Sequence, residues 1–132
     1  MDARHILRPA ARGALGEPVL VVDEDDLVRD ALVEVIGSEG FKVEAAKSGR
    51  DALEKLRWGL RPSLILVDLR MNEMSGWDFR VEQKRDPDLA AIPVIAMSVG
   101  LWKKQDVYDF ADCLPKPVNR EDLRAKLRMF CG

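Results

Sequence analysis

The chain has 132 residues, 47% of them hydrophobic and 33% charged, with a formal net charge of −2. That length suits one domain around one core, and the balance is that of a globular chain rather than a disordered or membrane-spanning one. A net charge so near zero gives no broad pull toward nucleic acid or anionic membrane, so charge-driven chemistry must be local.

In chain order, the first segment, 1–17, carries Arg4, His5, Arg8 and Arg12 but lacks the apolar centre of a secretory signal. It reads as a flexible N-terminal tail ahead of a folded unit at 18–132, and His5 as neither ligand nor catalyst. Val19-Leu20-Val21-Val22 is a short apolar run that stops at Asp23-Glu24-Asp25-Asp26. Such a run fits a strand buried on both faces, as in a parallel sheet. Leu27, Val28, Ala31, Leu32, Val35 and Ile36 then recur at helical spacing, with Asp25 or Asp26 as cap and Gly40 as the close. Residues 41–46 alternate as a second strand. Ser48, with Asp51 three residues on, caps a second helix running to about Trp58.

Leu64-Ile65-Leu66-Val67 is the third strand and ends on Asp68. Ser75 caps a third helix to about Lys84. Residues 92–97 form a fourth strand with Pro93 near its start, where proline is tolerated. A short fourth helix is expected over 103–110, a brief fifth strand at Cys113-Leu114, and a last helix from Asn119 to Phe130. The alternation implies an α/β fold, a single doubly wound sandwich around a five-stranded parallel sheet. Cys113 and Cys131 lack metal-ligand spacing and read as reduced thiols of a cytoplasmic protein, Cys113 buried. Trp58, Trp77 and Trp102 read as packing residues, with Trp102 the best candidate for partial exposure at a partner surface.

In such sheets ligands bind at the carboxyl ends of the strands. Asp23 and Glu24, Asp68, Ser98 and Lys116 all fall there. Taken singly, each has a plain reading: helix-dipole partner, turn former, cap, surface lysine. Together, three carboxylates invite a cation such as Mg²⁺, the lysine suits a phosphate oxygen, and the hydroxyl can donate to a phosphoryl group. A carboxylate can itself be the nucleophile in phosphoryl transfer.

With these residues in place, the chain resembles the receiver domain of two-component response regulators over about 18–130. The resemblance rests on Val21-Val22-Asp23-Glu24-Asp25, on Leu66-Val67-Asp68-Leu69-Arg70-Met71-Asn72-Glu73-Met74-Ser75-Gly76, on Pro93-Val94-Ile95-Ala96-Met97-Ser98, and on Lys116-Pro117. It implies a flavodoxin-like (βα)5 sheet of order 2-1-3-4-5. It implies that Asp68 accepts a phosphoryl group from a histidine kinase or histidine phosphotransfer protein. Mg²⁺ would be held by Asp23, Glu24, Asp68 and the Arg70 backbone carbonyl. Ser98 would be the switch hydroxyl and Lys116 the phosphoryl contact, with the bond to Pro117 cis. Catalysis would be confined to the protein's own phosphorylation and dephosphorylation. Output would pass by protein contact to an effector, without direct nucleic-acid or membrane binding, and a homodimer is compatible with the family.

Several positions depart from the family pattern. Asn72 stands where proline is usual, and Ser75 where aspartate is usual. The stretch from Ser98 to Lys116 is shorter by about one helical turn, so a truncated fourth helix is expected. Cys113 replaces a common aromatic on strand five. Arg70 and Gly100, each two residues past a site residue, suggest slow loss of the phosphoryl group to water. A competing reading is a degenerate receiver acting as a phosphorylation-independent interaction module. An aspartyl phosphatase is a third, opposed by Arg70 where such enzymes carry a second acid. The chain ends soon after the fifth helix, as expected for a stand-alone receiver or a piece of a larger regulator.

Overall fold

A computed structural model describes residues 17–100 and 103–132. The tail expected before Glu17, with His5, and Trp102 lie outside the described residues. Strands β1 (Val19–Val22), β2 (Val43–Ala46), β3 (Leu64–Asp68), β4 (Val94–Val99) and β5 (Asp112–Lys116) alternate with helices α1 (Asp26–Ser38), α2 (Gly49–Arg57), α3 (Gly76–Lys84), α4 (Lys104–Val107) and α5 (Arg120–Cys131). The sheet is parallel throughout, in the expected order β2-β1-β3-β4-β5.

Strand periodicity divides the core in two. Leu20, Val22, Ile65 and Val67 face one layer with Leu53, Leu56 and Phe79. Val19, Val21, Leu64 and Leu66 face the other with Leu32, Ile36, Leu123 and Leu127. Every residue of β1 and β3 is buried, which explains why both read as unbroken apolar runs. Each such Leu or Ile contributes roughly 1.5–3 kcal/mol of burial, so the strand ends that carry polar groups stand on fully buried strands.

The helix starts obey their sequence signals. Asp25 accepts from the Leu27 and Val28 N–H groups, Ser48 from Asp51, and Asn119 from Glu121 and Asp122. Ser75 and Asp78 form a reciprocal capping box.

Several boundaries move. Strand β2 starts at 43 rather than 41, and β4 covers 94–99 rather than 92–97. Pro93 therefore precedes β4, and its carbonyl accepts from Ile65. Strand β5 is longer than Cys113-Leu114, because its five residues pair with 95–99 and take in Lys116. Cys113 is only partly buried, as befits an edge strand. Trp58 does not pack: it caps the end of α2 beyond the last inward leucine and is 90% exposed.

Helix α4 is shorter even than expected, four residues long. Side chains of α3 hold it and the turn that follows it. The Trp77 indole N–H donates to the Asp106 carbonyl at 2.6 Å, Arg80 Nε to the Asp109 carbonyl at 2.9 Å, and Lys84 Nζ to the Asp109 carboxylate at 2.8 Å. Trp77 is thus half-exposed and hydrogen-bonded rather than a core residue, and with Val81 and Tyr108 it lines a groove between α3 and α4.

Candidate functional site

Parallel pairing of Val22 with Val67 brings the ends of β1 and β3 side by side. Asp23 and Asp68, one residue further on each strand, therefore stand about one strand spacing apart, ~4.8 Å. Both are buried, at 0% and 8% exposure. Two ionised carboxylates in such a place repel unless a cation intervenes. Lys116 supplies one, reaching from the end of edge strand β5. Its Nζ lies 2.8 Å from Asp23 Oδ2 and 3.4 Å from Asp68 Oδ2.

The remaining lone pairs are partly used. Asp23 Oδ1 accepts from the Asp25 N–H at 2.9 Å, and Asp68 Oδ1 from the Arg70 N–H at 3.3 Å. Burial pushes the Asp68 carboxyl above the ordinary range. Lys116 pulls it back, Asp23 adds to the rise, and burial prevails. Burial alone would push the Lys116 ammonium down, but the hydrogen bond and charge of Asp23, with the charge of Asp68, outweigh it and hold it above the usual lysine value. Asp68 thus carries its negative charge at a cost, and Lys116 is firmly protonated.

Glu24 behaves differently from its neighbour. Its Oε1 accepts from the Asn72 N–H at 2.8 Å, across a separation of 48 residues. Among the described residues, no three Asp, Glu, His or Cys side chains gather closely enough to hold a metal ion. The reason lies in these pairings: Lys116 sits between Asp23 and Asp68, and Glu24 is turned to the β3–α3 loop. The donor chemistry nonetheless fits a hard divalent cation. Magnesium needs only one or two carboxylates with waters and other oxygens, and the three acids leave two negative charges that Lys116 does not compensate.

Ser98 lies inside β4, 5% exposed, and its hydroxyl donates to the Val99 carbonyl at 3.3 Å rather than to Asp68. The Arg70 side chain is exposed. Gly76 opens α3 directly against the acceptor strand. A Cβ there would stand 2.8 Å from the Asp68 carbonyl oxygen and 2.9 Å from Leu69 Cα, so only glycine fits.

Two further groups support the site. Arg29 donates from Nη1 to the Asp23 carbonyl at 2.9 Å while pairing with Asp26 through Nη2. Its i, i+3 spacing from Asp26 was the available signal. The Asn72 N–H left no side-chain signal at all.

The family of response regulator receiver domains matches residues 19–128. The chain is 35% identical over 121 residues to the two-component response regulator ORR11 of Oryza sativa subsp. indica, across 86% of this chain and 80% of that protein. It is 30% identical over 119 residues to the transcriptional regulatory protein CpxR homolog of Haemophilus influenzae, across 83% of this chain but 48% of that protein. Among solved structures, the signal receiver domain of a signal transduction histidine kinase from Syntrophus aciditrophicus superposes with a TM-score of 0.77 at 28% identity, covering 87% of this chain and 89% of that one. A response regulator receiver protein from Pseudomonas putida gives the same score and identity, covering 86% and 98%. The chain belongs to the receiver-domain family of two-component response regulators.

Proposed function

We propose that this chain is a phosphoacceptor switch of a two-component phosphorelay, with Asp68 accepting the phosphoryl group within a receiver unit at 18–132. The observation that supports this best is the shared lysine: Lys116 bridges two buried carboxylates on adjacent strands. A buried like-charge pair is retained at a cost to stability, which argues for a chemical use.

In this reading a carboxylate oxygen of Asp68 attacks phosphorus. The new P–O bond forms as the P–N bond of a donor phosphohistidine breaks, and the imidazole leaves with the electron pair. Lys116, already within 3.4 Å of Asp68, offers its charge to the phosphoryl oxygens. Asp23, Glu24, Asp68 and the Arg70 carbonyl are the oxygens that would hold Mg²⁺, which when bound neutralises charge developing on the transferred group. Ser98 must give up the Val99 carbonyl to reach a phosphoryl oxygen. The donor is a histidine kinase or histidine phosphotransfer protein in the cytoplasm, and the output is an altered protein contact.

The test is to incubate the protein with Mg²⁺ and acetyl phosphate and measure intact mass. One labile phosphoryl group is expected on wild type, lost in Asp68→Asn and on chelation of the metal. No adduct on wild type, or an undiminished adduct on Asp68→Asn, would refute the assignment.

A further inference from the structure

The Glu24–Asn72 hydrogen bond assigns a role to a backbone group. We propose that the Asn72 N–H is a latch: it holds Glu24 away from Asp23 and Asp68 until a divalent cation arrives, and so weakens metal binding while tying it to the β3–α3 loop. The inference rests on the proposed Mg²⁺ site and adds to it a positioning residue.

The geometry carries it. Glu24 follows Asp23 directly, and both lie where β1 ends. Asp23 turns inward to Lys116, yet Glu24 Oε1 accepts from Asn72 at 2.8 Å. Lys116 already serves two carboxylates. Glu24 is not one of them, and among the described residues the N–H of the neighbouring loop is its partner. A divalent ion reverses the preference, because it rewards carboxylates drawn together. Binding must then release the latch.

The loop that carries the latch is closely bound to the acceptor. Gly76 N–H donates to the Leu69 carbonyl at 2.9 Å, and Gly76 itself lies against the Asp68 carbonyl. Met71, beside Asn72, is buried. Freeing the Asn72 amide therefore acts on a short segment pinned at both ends, leading straight into α3. Metal occupancy is read there before any phosphoryl group is present.

A proline at position 72 has no N–H to give, whereas alanine keeps it. The test compares Asn72→Pro and Asn72→Ala for Mg²⁺ affinity by calorimetry. Asn72→Pro is expected to bind about three- to tenfold tighter than wild type, the worth of one net hydrogen bond. Asn72→Ala is expected to match wild type. Equal affinities for the proline and alanine variants overturn the latch while leaving the metal site standing. A wild type that binds no Mg²⁺ overturns both. Should the proline distort the loop, amide hydrogen exchange on the wild-type chain decides: Asn72 protection is expected to fall as Mg²⁺ saturates, and unchanged protection overturns the proposal.

Discussion

Replacing Lys116 with methionine keeps the aliphatic stem and deletes the ammonium, which isolates its electrostatic role. The side chain is 11% exposed, and its two partners are 1% and 12% exposed. A charge pair at 2.8 Å carries about 6 kcal/mol of Coulomb energy at an effective dielectric near 20. Desolvation of the lysine, relieved by the substitution, returns part of this. Removing one partner of a buried pair costs about 3–5 kcal/mol, and the opening of the pocket toward solvent lowers that to roughly 2–4 kcal/mol. For a domain of this size the loss is about 8–16 °C in Tm. Urea melts of Lys116→Met at neutral pH, with and without millimolar Mg²⁺, measure it. The penalty is expected to shrink when Mg²⁺ replaces the missing charge. It is also expected to shrink by about 1–2 kcal/mol when Asp68→Asn removes one of the two stranded carboxylates. A loss below about 1 kcal/mol, or one equal in the Asp68→Asn background and insensitive to Mg²⁺, would show that the lysine does not offset repulsion between the acids.

Other expectations follow from the same pocket. Asp68→Asn is expected to stabilise the metal-free protein. The native carboxyl titrates above its ordinary value of 3.8, so the folded state holds its proton longer than the unfolded one. The Asp68 contribution to stability is therefore greatest below that ordinary value and falls as pH rises through the raised native one. The gain from Asp68→Asn should be full at neutral pH and gone in strong acid; denaturant melts across that range that show a constant gain would contradict the cause assigned to the shift. Gly76→Ala is expected to cost at least about 2 kcal/mol and to slow phosphorylation, since its methyl would meet the Asp68 carbonyl at 2.8 Å; thermal melts and acetyl-phosphate labelling check both. Arg70, exposed two residues past the acceptor, is expected to shield the phosphoryl group, so Arg70→Ala should shorten the adduct's half-life several-fold, and an unchanged decay would remove arginine from that role.

The pocket's inner members were legible because burial and charge conflict at them. Asp23 and Asp68 each end an unbroken apolar run, and parallel pairing leaves them little choice but to meet. Lys116 followed from topology, since a strand-end lysine joins the same edge. The orientation of Glu24 was not legible, because its partner is a backbone amide 48 residues away and amides carry no residue code. Nor was that of the Ser98 hydroxyl, whose partner is the backbone carbonyl of the next residue. Trp58 misled because bulk suggests burial, whereas α2 had already spent its inward face on Ala52, Leu53 and Leu56. The short fourth helix could be inferred from a missing turn of sequence, but not the means by which it is held.

That means has its own consequence. A four-residue helix is far below the length that sustains itself in water, so α4 persists as a tenant of α3, held directly by Trp77 and, through Asp109 just beyond its end, by Arg80 and Lys84. The rod that hosts it begins at Gly76, seated on the acceptor's own carbonyl. A tilt of α3 would therefore bear on α4 through the Trp77–Asp106 bond and on the turn after it through Arg80 and Lys84. The groove's first residue, Trp77, directly follows the glycine that rests on the acceptor, so the acceptor and the groove are one residue apart along the chain.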